Sequence, residues 1–83
     1  MFEVLLTREA EKQLESIDKR YQKAIAAVLL RLGQNPNIGK SLSYDLKGSF
    51  RIRVAKYRIV YEINHAKREI LVLMIEHRKD VYR

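Results

Sequence analysis

Lys47, Arg51, Arg53, Lys56 and Arg58 fall within twelve consecutive residues that contain no acid. Such a cluster repels itself unless an anion offsets it, so a phosphate-binding face competes here with a plain solvated surface. Arginine outnumbers lysine in it, and the planar guanidinium fork suits bidentate contact with phosphate. The imbalance is regional. Residues 47–83 hold ten basic and four acidic residues, against seven and six in residues 1–46, and together they give a net charge of +7. Arginine stays protonated in proteins, so Arg51, Arg53 and Arg58 would clamp or stabilise an anion rather than act as bases. The groups nearby that could accept a proton are His77, as histidine is the side-chain type suited to proton transfer at physiological pH, and Glu62, which either pairs with an arginine or serves as the base. His65 falls in a turn and reads as solvated.

Other chemistries are excluded by composition. The chain has no cysteine and two histidines. That rules out a disulfide scaffold, a thiolate metal site and a thiol nucleophile, and the histidines alone could not close a zinc site. No metal or small-molecule cofactor is expected. The longest apolar run, Ala24 to Leu30, is seven residues, against the ~20 that span a bilayer. The start Met1-Phe2-Glu3 has no basic leader or apolar stretch, so the expected compartment is the cytoplasm.

The elements that must position the arginines follow from periodicity. Phe2 to Leu6 reads as a strand. Thr7 caps a helix over residues 8–17, with Glu9 and Glu11 in its first turn and Ala10, Leu14 and Ile17 at helical spacing. Asp18 caps a second helix whose stripe is Tyr21, Ile25, Val28 or Leu29, and Leu32; Gly33 is its expected stop. Residues 34–44 read as a loop. After Gly48 the period becomes two. Phe50, Ile52 and Val54 alternate with Arg51 and Arg53, and Tyr57, Ile59, Tyr61 and Ile63 alternate with Arg58 and Glu62. Ala55 and Lys56 form a tight turn between these strands. Residues 64–68 form another, and Ile70 to Ile75 reads as a strand buried on both faces. Residues 77–83 allow at most a single turn.

Eighty-three residues allow one domain, 1–83, of class α+β. The expected architecture is an N-terminal strand, an antiparallel helix pair and a three-stranded antiparallel meander, in one mostly antiparallel sheet with the helices on one face. Phe50, Ile52 and Val54 then face the helices, and Arg51, Arg53 and Arg58 gather on the open face. Tyr57, Tyr61 and Tyr21 read as packing residues.

The stretches Leu46-Lys47-Gly48, Phe50-Arg51-Ile52-Arg53-Val54, Tyr57-Arg58-Ile59-Val60-Tyr61-Glu62 and His77-Arg78-Lys79-Asp80-Val81-Tyr82 together resemble the RelE/ParE toxin superfamily. The last is closest to the RelE branch. The resemblance implies a RelE-like microbial ribonuclease-type fold and the toxin of a toxin–antitoxin pair. Such a toxin enters the ribosomal A site and cleaves mRNA there without metal, by attack of the RNA's own 2′-hydroxyl. By the same resemblance Arg58 contacts the scissile phosphate, and Arg78 stabilises charge or acts as acid. Tyr82 stacks on or orients the base, and Arg51 and Arg53 match two basic positions that are often lysine. Lys47 and Lys56 add general attraction to RNA. His77 transfers a proton, packs within the fold or contacts the antitoxin. The implied partners are the ribosome, mRNA and an acidic antitoxin, partly disordered when free. Two alternatives stay open: a ParE-like inhibitor of DNA gyrase without enzymatic activity, and a catalytically decayed RNA-binding relative.

Overall fold

The computed structural model describes residues 1–41 and 49–77, apart from the side chains of Lys40 and Ser41. Strand β1 is Glu3–Leu6, helix α1 Arg8–Glu15 and helix α2 Lys19–Gln34; a 3-10 turn at Pro36–Ile38 leads to the short strand β2, Lys40–Ser41. Strands β3 (Ser49–Val54), β4 (Tyr57–Asn64) and β5 (Glu69–His77) complete the order. The five strands form one sheet in the order β1-β5-β4-β3-β2. β1 pairs with β5 in parallel and the other pairings are antiparallel. The strand–helix–helix–strand–strand–strand order is therefore as the periodicity implies. One strand, β2, lies inside the segment expected to be loop.

Both helices start where a side chain can take an orphan N–H. Thr7 Oγ1 accepts from Ala10 N at 3.1 Å, and an Asp18 carboxylate oxygen accepts from Arg20 N at 2.9 Å. That backbone bond, with the Arg20 guanidinium beside it, holds the Asp18 carboxyl below its usual range. α1 ends at Glu15 with Ser16 as its cap, two residues before the expected end. Ile17 still reaches the core from the turn.

Gly33 is not the stop of α2, which runs one residue further and is capped by Asn35. Its role is close approach. Phe2 N donates to Gly33 O at 2.7 Å, and a Cβ on Gly33 would sit 3.0 Å from Phe2 O. A small residue there lets α2 lie against the start of β1.

One core joins Ile25, Leu29 and Leu32 of α2 and Ala10 of α1 to Val54, Ile59, Tyr61, Ile70, Val72 and Ile75 of the sheet. Both helices thus cover the same face. On β5 the strict alternation breaks once. Val60 stands opposite Met74, but Tyr61 stands opposite Val72, so Leu73 is an extra residue with no partner on β4. This bulge flips the phase of β5. Ile70 and Val72 point to the helices on one side of it, and Ile75 does so on the other. α1 satisfies the disturbed backbone: Thr7 Oγ1 donates to Leu73 O at 2.8 Å, and Ile75 N donates to Gln13 Oε1 at 2.6 Å.

Candidate anion-binding face

The pairing of β3 with β4 decides which side chains meet. Phe50 stands opposite Tyr61, Ile52 opposite Ile59 and Val54 opposite Tyr57; Arg51 stands opposite Val60 and Arg53 opposite Arg58. The first three pairs carry core residues, so Arg51, Arg53 and Arg58 share the face away from the helices. A cleft of about 330 Å³ beside β3 is lined by Ile38, Arg51, Ile52 and Arg53 among the described residues.

Arg58 and Arg51 are half-buried, and Arg53 is exposed. The Arg58 side chain is 19% exposed, and its Nη2 donates to Glu76 Oε1 at 3.2 Å. Its Nε is buried with no hydrogen-bond partner among the described residues. Glu76 stands directly opposite Arg58 across the β4–β5 ladder, with 28% of its side chain exposed. Arg58 thus has a like charge, Arg53, opposite it on one side and a carboxylate on the other.

Glu76 was not singled out by the sequence, and the reason is the bulge. Counting alternately from the buried Ile70 and Val72 sends Glu76 to the helix face and His77 to the open face. The extra residue at Leu73 reverses both. His77 therefore does not join the arginines, which corrects its placement as a proton-transfer group there. It stands opposite Tyr57 on the helix side, with ring centroids 5.2 Å apart in an edge-on contact. Tyr57 in turn meets Tyr21 edge-on at 5.6 Å. Lys56 is also drawn to this side: its ammonium lies 5.8 Å from the Tyr21 ring centroid, so it is not part of the arginine row.

Glu62 is exposed on the open face opposite Ser49 and Leu71, and the carboxylate that pairs with Arg58 is Glu76. His65 is exposed at its turn and touches the Phe2 ring edge-on at 5.8 Å. Lys47, Arg78 and Tyr82 lie outside the described residues.

Behind the arginines the backbone is fixed by Tyr61. This residue is fully buried, stacks on Phe50 at 5.6 Å and donates its hydroxyl to Pro36 O at 3.2 Å. Burial pushes its hydroxyl pKa up, against a smaller opposing effect of the Gly39 backbone. A Cβ on Gly39 would collide with the Tyr61 hydroxyl and lie 3.0 Å from Arg51 O, so glycine is required where the 3-10 turn passes under β3. Among the described residues no group of three or more histidines, aspartates or glutamates could hold a metal ion, and no helix is long and apolar enough to cross a membrane.

The fold and sequence have clear relatives. The family model of the ParE toxin of type II toxin–antitoxin systems matches residues 4–82. Toxin RelG of Mycobacterium tuberculosis is 30% identical over 84 residues, covering 99% of this chain and 97% of the relative. The RelBE2 toxin–antitoxin complex of the same organism matches with a TM-score of 0.85 at 28% identity, over 93% of this chain and 98% of that one. The isolated RelE toxin of E. coli shares the fold, with a TM-score of 0.82 at 16% identity over 93% of this chain and 84% of that one. The chain belongs to the ParE/RelE family of toxins of type II toxin–antitoxin systems.

Proposed function

We propose that this toxin is a ribosome-dependent, metal-independent endoribonuclease that cuts mRNA in the A site. The observation that carries this reading is the convergence of Arg51, Arg53 and Arg58 on the sheet face that the helices leave open. Attack by a 2′-hydroxyl on the adjacent phosphate concentrates negative charge on the phosphorus oxygens, and fixed cations there stabilise it. Arg58 takes the scissile phosphate, while Arg51 and Arg53, two residues apart on one strand, follow its neighbours. Arg78 and Tyr82 complete the site in charge stabilisation and base positioning, and Lys47 adds attraction to the RNA backbone.

The partner in the cell is an acidic antitoxin. The mycobacterial RelBE2 structure is itself a toxin–antitoxin complex. An apolar groove of about 370 Å³ between α2 and β1, lined among others by Phe2, Val4, Leu6, Leu29 and Leu30, offers a place for an apolar antitoxin segment. Leu30 is 64% exposed there. α2 carries Lys19, Arg20, Lys23 and Arg31 and no acid, so the segment should be acidic as well as apolar.

The ParE name of the matching family favours a second reading, inhibition of DNA gyrase without cleavage. Mapping reporter mRNA in a purified translation reaction separates the two. Cuts within ribosome-bound codons are expected. Intact mRNA with blocked supercoiling would establish the gyrase reading instead.

A further inference from the structure

We infer that Glu76 is a built-in competitor for the anion site: its carboxylate occupies Arg58 in the free toxin and must be displaced before a phosphodiester can bind there. The inference rests on reading the arginine face as a phosphate surface, but it does not depend on cleavage.

Three features of the fold carry it. Glu76 Oε1 lies 3.2 Å from Arg58 Nη2, so a carboxylate sits where a phosphate oxygen would sit on that guanidinium. Both side chains are less than a third exposed, so water screens the pair only partly. The Arg58 Nε–H is buried and has no hydrogen-bond partner among the described residues, so the carboxylate leaves one face of the fork unused. A phosphate has three or more oxygens to offer, and an arginine fork binds two of them at once. The exchange of carboxylate for phosphate can thus satisfy a donor that the resting pair leaves empty.

Position explains why the competitor acts on Arg58. Glu76 stands directly opposite Arg58 across the β4–β5 ladder and brings a carboxylate to its guanidinium. A ligand with one phosphate must break the pair to reach Arg58 alone. A chain of phosphodiesters gains contacts at Arg51 and Arg53 in the same step, so Glu76 favours polynucleotide over free phosphate.

The test uses the full chain and a short single-stranded DNA oligomer, which lacks the 2′-hydroxyl and cannot be cut. Affinity is read by fluorescence anisotropy. Glu76→Gln should tighten binding on the order of fivefold to tenfold, as loss of a partly buried competing charge predicts. Glu62→Gln removes an equal charge from the same face without touching Arg58, and should change affinity less than about twofold. In an Arg58→Ala background, Glu76→Gln should have no further effect. Unchanged or weaker binding by Glu76→Gln, an equal gain from Glu62→Gln, or a gain that persists without Arg58 would each overturn the inference. Should the variant fold poorly, the wild-type protein still decides: the Glu76 carboxyl-carbon NMR signal should move on adding the oligomer, and a stationary signal overturns it. If neither wild type nor Glu76→Gln binds the oligomer, the phosphate reading of the face fails and this inference with it.

Discussion

Arg58 is partly enclosed, ion-paired with Glu76 and left with a buried Nε that has no hydrogen-bond partner among the described residues, and that setting assigns it a task of its own. A cation held rigidly in a partly desolvated setting stabilises developing charge better than one free to follow solvent. Arg58→Ala should therefore lower single-turnover cleavage at saturating ribosome by about 10²-fold or more, with little loss of ribosome binding. Arg53 is exposed and Arg51 half-buried on the neighbouring strand. Arg51→Ala and Arg53→Ala should chiefly weaken binding and lower its salt slope by about one unit each. Rates at saturation for the three variants check this, and the opposite ranking would reverse the assignment. Tyr61 supports the same strands from behind, and its pH behaviour follows from burial. The folded state favours the neutral phenol, so its pKa lies above the ordinary 10.0. A group raised in the folded state contributes stability below the unfolded pKa and loses it as pH rises through the folded value. Thermal stability should thus fall above about pH 10, by the same linkage, and Tyr61→Phe should flatten that fall. At neutral pH the same variant should cost about 1 kcal/mol, because Pro36 O loses its donor.

The elements were legible where their chemistry is local, and illegible where it is not. Thr7 and Asp18 announce two helix starts, and the alternation of Phe50, Ile52 and Val54 with arginines announces both the strand and its open face. The bulge at Leu73 could not be read, because six consecutive apolar residues, Ile70 to Ile75, carry no phase to break. That one residue decides whether Glu76 or His77 joins the arginines, so the site was legible on β3 and β4 and misread on β5. β2 was missed for a related reason: a two-residue strand is held by its neighbour rather than by its own pattern. Gly33 reads locally as a helix stop, whereas its actual constraint is the backbone contact with Phe2, thirty-one residues away in the sequence and invisible to a local pattern. Thr7 is what ties the bulge to a helix. Thr7→Val keeps the shape and removes both the cap on Ala10 N and the donor to Leu73 O. It should destabilise the fold by about 1–2 kcal/mol, measured by urea denaturation. The β3–β4 turn offers the opposite test. Ala55 has φ 55°, a left-handed conformation that costs an alanine and suits glycine. Ala55→Gly should gain about 0.5–1 kcal/mol in the same measurement, after the entropy that glycine adds to the unfolded chain.

Across the whole molecule the charge is divided, and the division sets how a partner must approach. The half from residue 47 onward carries most of the net charge of +7 and supplies the arginine face. The apolar groove between α2 and β1 involves the other half of the chain. One partner that silences the toxin and binds it tightly has reason to engage both: the groove for buried apolar area, the arginine face to exclude RNA. These two contacts should separate by salt. Apolar burial is nearly insensitive to ionic strength, whereas contacts between exposed charges are screened over a Debye length of roughly 8–10 Å near physiological salt. Leu30→Glu places a charge on an exposed apolar side chain of the groove, beside basic α2 and against an acidic segment. It should raise the antitoxin dissociation rate at least about tenfold, consistent with loss of one apolar anchor, and leave cleavage by the free toxin unchanged. Charge reversal at Arg51 should instead slow association and flatten its salt dependence, because long-range attraction acts mainly on the encounter. Association and dissociation rates measured by surface plasmon resonance at several salt concentrations distinguish the two variants. If Leu30→Glu leaves the dissociation rate unchanged while Arg51→Glu alone abolishes the complex, the antitoxin is held by the arginine face alone and the groove has no part in it.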